Sequence, residues 1–384
     1  MKISLDRILT THVGSLPRTD AVIALLEARE NRCSFDSGEF DRQIHASVQN
    51  IVRHQTNIGI DVVSDGETSK MGYATYVRDR LTGFSDDGST EASKPHLDVE
   101  PFPDLRRKMA LLTGVRRFKR SACIGPVSVR DRNELRRDLQ NLSSAVAAAR
   151  PFDSFMNAAS PGVVASFLPN DYYPSHEAYV EAIAEAMREE YEAIVDAGFV
   201  LQVDCPDLAM SRHTAFQSLS ESEFLNRVTF HIDALNHALR QVPSNMVRIH
   251  ICWGNYEGPH THDIDLIKII NLVLHVNAQA ISIEAANPRH AHEWAIWKDV
   301  ILPADKILLP GVIDTSTNYV EHPDLVAERI CRFADVVGRE RIIASTDCGF
   351  GTSAGYGKID PGVAFLKLEA LVEGASRASK RLWI

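Results

Sequence analysis

"RIHICWGNYEGPH", residues 248–260, together with Val247 before it, decides how the fold is read. Val247, Ile249 and Ile251 alternate with Arg248, His250 and Cys252. Side chains two apart on a strand point to the same face, so this is strand patterning, and His250 and Cys252 share a face. The run then breaks at Trp253-Gly254 into a loop rich in turn residues. A short apolar strand thus finishes in two residues of ligand type.

The same arrangement recurs along the chain. Strands are expected at 9–13, 60–64, 154–158, 200–204, 247–252, 280–284, 307–312 and 342–346. Helical spacing fills the intervals. Residues 175–197 place Tyr179, Ile183, Met187, Tyr191 and Ile194 three or four apart, and Gly198 follows as a stop. Ser220 and Glu223 form a capping-box pair ahead of Phe224, Val228, Ile232, Leu235 and Leu239. Pro323 opens a further helix that ends before Gly338. Strands separated by helices pair in parallel, and eight such units predict an α/β fold, a single (β/α)8 TIM-type barrel spanning residues 1–384. The interval between the second and third strands is too long for one helix. Residues 84–152 are therefore read as an insertion, a hairpin plus a helix covering one end of the barrel. Its basic runs, Arg106-Arg107-Lys108 and 116–120, are read as solvated surface.

Composition sets the outer bounds. The formal net charge is -10 and no Lys/Arg-rich block occurs, which argues against nucleic acid as a partner. No secretory leader is apparent, and no stretch approaches the roughly 18–20 apolar residues of a membrane span, so a cytoplasmic location is expected. The six cysteines are irregularly spaced and do not form a disulfide framework. They are packing residues, nucleophiles or ligands.

Active sites of such barrels gather at the C-terminal ends of the strands. There stand Gly14-Ser15, Asp65-Gly66-Glu67, Asp204-Cys205-Pro206-Asp207, His250 with Cys252, Glu284, Asp314-Thr315-Ser316 and Asp347-Cys348-Gly349. A lone His-x-Cys on a strand is usually core. With Glu284 and Cys348 at other strand ends, the set becomes one imidazole, two thiolates and one carboxylate, a tetrahedral zinc site. Its ligand charge exceeds that of the dication. Such a zinc is suited to holding a substrate thiolate in reactive form, with the carboxylate as the ligand most easily loosened. Cys33, Cys123 and Cys331 are read as structural, and Cys205 as a pocket-lining group.

The chain resembles the catalytic C-terminal barrel of cobalamin-independent methionine synthase and its single-barrel relatives, which include the epoxyalkane:coenzyme M transferases. The pieces "TTHVGSLPR", "VVSDGE", "LQVDCPDLA", "RIHICWGNY", "AISIEAAN", "LLPGVIDTS" and "ASTDCGFGT" carry the resemblance in the family's order. It implies Zn2+ on His250, Cys252, Glu284 and Cys348. It also implies homocysteine held by Gly14, Ser15, Glu67 and Asp204. The chain looks too short for the second barrel of full-length synthases. Where those have a proton-donating histidine after the seventh strand, "GVIDTSTN" has Ser316; where they have a tryptophan that stacks on the pterin, the best match is Phe167. His12 departs from the synthase threonine run, and "CWGNYEGPH" leans toward the coenzyme M branch.

The expectation is therefore a zinc-dependent alkyltransferase acting on a small-molecule thiol, homocysteine or similar, with an alkyl donor that the sequence leaves open. The alternatives are addition of coenzyme M to an epoxide, with Arg18 screening the sulfonate, a non-catalytic zinc- or thiol-binding barrel, and a metal-free uroporphyrinogen decarboxylase-like barrel. His12, Arg18, Phe167, Cys205, Asn255, Asp314 and Ser316 are the remaining pocket candidates. Ser316, His213 and His260 are the alternatives for the proton donor, with His260 read as a surface residue.

Overall fold

The computed structural model describes residues 1–34, 36–85, 96–112, 121–355 and 359–383. In chain order the elements are β1 (Leu9–Thr10), α1 (Asp20–Glu30), α2 (Ser37–Ile58), β2 (Val62–Val63), α3 (Val77–Arg80), β3 (Phe84–Ser85), α4 (Pro103–Leu112), β4 (Ala122–Cys123) and α5 (Asn133–Ala149). Then follow β5 (Asp153–Ala159), α6 (Pro161–Phe167), α7 (His176–Asp196), β6 (Val200–Asp204), α8 (Glu221–Ala238), β7 (Val247–His250) and α9 (Leu266–Val273). The last are β8 (Ala280–Ile283), β9 (Ile307–Ile313), α10 (Pro323–Val337), β10 (Ile343–Thr346) and α11 (Pro361–Leu382).

All eight expected strands are present, β1 and β2 with only two ladder residues each. They form one sheet in the order β1-β10-β9-β8-β7-β6-β5-β2, so neighbours in sequence are neighbours in the sheet. Asp61 N–H donates to Thr10 O at 3.2 Å and Leu16 N–H to Gly66 O at 3.1 Å, which joins the two end strands and nearly closes the barrel. The fold is the (β/α)8 barrel that the strand count predicts.

Two compact units make up the described chain: residues 1–73, 137–157 and 279–384, and residues 74–136 and 158–278. In the first, Leu9, Ala280, Ile307, Leu309 and Ile343 form a buried apolar cluster from four strands, with Met1 and Ile3 packed against it. In the second, β6 and β7 pair in parallel with Asp204 opposite His250. Helix α7 buries the expected stripe of Tyr179, Ile183, Met187, Tyr191 and Ile194, and Ser175 caps it by accepting from Ala178 N–H. The Ser220–Glu223 capping box opens α8, and Pro323 opens α10, which stops at Gly338.

Segment 84–152 contains the antiparallel pair β3–β4, with α4 between its strands, and α5 beyond it. From residue 137 on, α5 belongs to the first unit. Arg106, Arg107 and Lys108 are exposed on α4; the basic run 116–120 lies outside the described residues. No described helix is long and apolar enough to cross a membrane.

Candidate metal centre

Strand β7 buries Val247 and Ile249 on one face, and this register turns His250 to the other. His250 is 3% exposed, and neither ring nitrogen has a hydrogen-bond partner among the described residues. Burial, helped by Arg248, pushes its imidazole down to about 3, so both forms of the neutral ring keep a lone pair for a cation. A buried imidazole without partners costs free energy, and such an orphan calls for a ligand. Arg248 is held on β6 by Gln202, to whose Oε1 its Nε donates at 2.7 Å. Cys252 lies two residues on and is buried, with Sγ accepting from Gly254 N–H at 3.2 Å.

Far along the sequence, β10 runs directly into Asp347 and Cys348. The ladder between β10 and β9 shifts register between Ser345 and Thr346, and such an irregularity re-aims the residues after it. Asp347 Oδ1 accepts from Ala285 and Ala286 N–H, both at 2.8 Å, and Oδ2 accepts from Asn287 N–H at 2.8 Å and its Nδ2 at 3.1 Å. Burial and Asp314 push the Asp347 carboxyl up to about 6, against the lowering effect of those three amides. Asn287 Nδ2 also donates to Glu284 Oε2 at 2.8 Å.

His250 and Cys252, both in the second unit, offer a nitrogen and a sulfur, and Cys348 and Glu284, both in the first, offer a sulfur and a carboxylate. Nitrogen and sulfur donors of this kind suit a zinc ion, whose softer ligands are of these types. The Glu284 carboxylate accepts from Asn287 Nδ2 at 2.8 Å.

The residues read as substrate-binding are buried at strand ends. Gly14 has φ +144°, and a Cβ there would meet Asn157 Nδ2 at 2.4 Å, so only glycine fits. Its N–H donates to His12 Nδ1 at 3.1 Å, which leaves Ser15 as the better candidate to meet a substrate carboxylate. Glu67 has φ +54°, a strained conformation for a residue with a side chain. Arg18 braces it: Nη2 donates to Glu67 O at 2.6 Å and Lys70 O at 3.0 Å, and Nη1 to Gly351 O at 2.7 Å. Asp204 Oδ1 accepts from Gln202 Nε2 at 2.7 Å.

Residues 8–93 and 129–364 match the model of the cobalamin-independent synthase catalytic domain. The chain belongs to this family. A methionine synthase of Sulfolobus acidocaldarius is 23% identical over 344 residues, covering 88% of this chain and 85% of that protein. A 5-methyltetrahydropteroyltriglutamate–homocysteine methyltransferase of Saccharophagus degradans is 23% identical over 362 residues, 91% of this chain but 41% of that longer protein. The structure of a B12-independent methionine synthase from a Shewanella species, in complex with selenomethionine, aligns with a TM-score of 0.73 at 21% identity. That alignment covers 98% of this chain and 99% of that one, and it supports the barrel fold.

For a member of the cobalamin-independent synthase family, several pocket candidates turn out to be committed elsewhere. Arg18 commits both terminal nitrogens to backbone carbonyls, while its Nε makes no hydrogen bond among the described residues. His12 shares a bond with Gln55 Oε1 at 2.7 Å through Nε2, so it orients the Gly14 turn. Cys205 is fully buried, and burial beside Asp207 and Asp204 pushes its thiol well up, which keeps it protonated. Ser316 Oγ donates to Asp314 Oδ1 at 2.7 Å, and Asp314 also accepts from Thr317; both belong to a loop cap. Phe167 is 41% exposed at the end of α6, and Asn255 is half-buried in the loop after Cys252. Among the cysteines read as structural, Cys123 is buried, Cys331 half-buried and Cys33 exposed.

His260 is buried, not at the surface. Its Nδ1 pairs with Asp263 at 2.9 Å and its Nε2 with Tyr256 O at 2.9 Å, while its backbone N–H donates to Asp98 Oδ2 at 2.8 Å. His213 is pushed down to about 4, chiefly by burial, and faces Asp263 at 3.3 Å. Being neutral near pH 7, it carries no proton to give as an imidazolium. Sequence reasoning passed over Asp98, Asn287 and the role of Asp347 altogether. The only signals were an acid in the long interval 84–152 and the acid–cysteine pair closing the last strand.

Proposed function

We propose that this chain is a cytoplasmic zinc-dependent methyltransferase that moves a methyl group onto the thiol of homocysteine, giving methionine. The observation that carries this reading is His250, buried with both nitrogens unpartnered among the described residues, with the buried thiol of Cys252 two residues on. His250, Cys252 and Cys348 would hold the zinc, with Glu284 as the fourth ligand. Bound there, zinc would keep a substrate thiol deprotonated at neutral pH.

The chain's own residues supply position. Glu67 and Asp204 are two buried acids suited to the substrate ammonium, and Ser15 is suited to its carboxylate. Held in this way, the sulfur is aimed at one carbon, which converts a bimolecular encounter into an oriented one. The thiolate lone pair forms the C–S bond, the carbon–donor bond breaks, and its electron pair leaves with the donor, which then takes a proton. Family membership and the names of the relatives support homocysteine and a methyltetrahydropteroylglutamate donor. The coenzyme M alternative is weaker, because both terminal nitrogens of Arg18, the base invoked for a sulfonate, already bond backbone carbonyls.

The test is direct. Zinc-loaded protein is incubated with homocysteine and 5-methyltetrahydrofolate, as mono- and triglutamate, and methionine is measured. Formation of methionine supports the reading. No methionine from any methyl donor, with coenzyme M adding to epoxypropane instead, would replace it.

A further inference from the structure

The carboxylate of Glu284, the proposed fourth ligand, is far from loosely placed. Asn287 Nδ2 is shared between Glu284 Oε2 at 2.8 Å and Asp347 Oδ2 at 3.1 Å. Asp347 is held in turn by three consecutive backbone amides, those of Ala285, Ala286 and Asn287. Every partner of this carboxylate is a donor, so its orientation fixes the amide of Asn287 with nitrogen toward Glu284.

Two further features serve the same arrangement. In the sheet, β9 stands between β10, which Asp347 directly follows, and β8, which Glu284 directly follows. To reach the 285–287 turn, the Asp347 side chain crosses β9 at Gly311. A Cβ at Gly311 would lie 2.1 Å from Asp347 Oδ1 and 2.7 Å from its Cα, so this position is kept bare for the crossing. Arg329 completes the brace, with Nη2 donating to Ala286 O at 3.0 Å and Nη1 to Val312 O at 2.9 Å. Pinning a turn would need only the backbone amides. The bond from Asn287 to Glu284 goes beyond that.

We infer that Asp347 and Asn287 form a clasp that positions the Glu284 carboxylate, and that the metal affinity of the centre depends on this clasp. The inference rests on the zinc reading above. Asp347 and Asn287 are positioning residues: they act through Glu284. Groups that orient metal ligands in this way commonly change metal affinity about 10–100-fold when removed.

The experiment uses the full chain, loaded with zinc and titrated with the chelator 4-(2-pyridylazo)resorcinol. Asn287→Ala is the main variant, because its side chain is half-buried and its backbone amide bond to Asp347 survives. Zinc affinity is expected to fall about 10–100-fold while the metal-free melting temperature stays near wild type. The visible spectrum of the cobalt(II)-substituted protein is expected to change, which loss of a mere turn brace would not produce. Asp347→Asn and Gly311→Ala should weaken zinc in the same direction. Zinc affinity of Asn287→Ala within about threefold of wild type, well short of the change expected for an orienting group, overturns the clasp. Wild-type protein that binds no zinc overturns the zinc reading and the clasp together, and the two failures are told apart by the protein in which they are seen.

Discussion

Two regions of the molecule are rich in residues that could bind a metal or move a proton, and they are built on opposite terms. One is the end of β7, with His250 and Cys252. The other is the loop that follows, where Tyr256, His260 and Asp263 meet His213 and Asp98. In the loop, each histidine has a partner on at least one ring nitrogen: His260 uses both, and His213 Nε2 meets Tyr256 Oη at 3.4 Å while its Nδ1 makes no hydrogen bond among the described residues. His250 has none among the described residues. Ligand-type chemistry is common to both regions; an imidazole buried with neither nitrogen satisfied is what separates a binding site from a packed polar network.

That contrast is broken most sharply at His250. His250→Ala or Cys348→Ser is expected to abolish stoichiometric zinc, measured by elemental analysis per chain, and to reduce methyl transfer to background. Metal-free protein with full activity would show that the orphaned histidine is only a packing defect. The loop should respond in the opposite way. His213→Ala empties a buried position and removes the bond between its Nε2 and Tyr256 Oη, and is expected to cost about 1–3 kcal/mol of stability in denaturant melts, with zinc content unchanged. Loss of zinc in that variant would merge the two regions into one site.

The pH dependence sharpens the comparison further. His213 is held neutral in the folded chain, at about 4 against an ordinary 6.5, chiefly because it is buried. The unfolded chain therefore takes up a proton there first. The contribution of His213 to stability is complete above pH 6.5 and is lost as the pH falls through about 4. His213→Gln should flatten the acid limb of the stability–pH curve, and an unchanged slope would remove this account. The smallest effect is expected at Ser316→Ala, where one hydroxyl bond to Asp314 is lost, about 0.5–1.5 kcal/mol, with turnover retained. A large drop in kcat there, with an altered pH profile, would return Ser316 to the role of proton donor.

The legible part of the molecule was local. Alternation placed the strands, and three- and four-residue spacing with Ser175, Ser220 and Pro323 at the starts placed α7, α8 and α10, because these signals act within a few residues. The His-x-Cys pair was legible for the same reason. Its use as a ligand pair was readable only by adding Glu284 and Cys348 from other strand ends, since a lone His-x-Cys is usually core. The burial of His260 was missed because it is imposed by Asp98, 162 residues away, and Asp98 sits in the interval 94–128 that the family model does not match. Arg18 looked like a pocket base because no sequence signal shows that three backbone carbonyls will converge on it.

By itself the sequence determined the (β/α)8 barrel, the residue types at its strand ends and membership in the synthase family, all of which follow from periodicity and short motifs. Tertiary structure alone decided which of those residues are already satisfied. It occupied Arg18, Ser316 and His260, left His250 bare, and passed the Asp347 side chain over Gly311 to hold Asn287 against Glu284. The physical reason is that hydrogen-bond satisfaction is a property of three-dimensional neighbours. A chain read in order lists donors and acceptors but does not pair them.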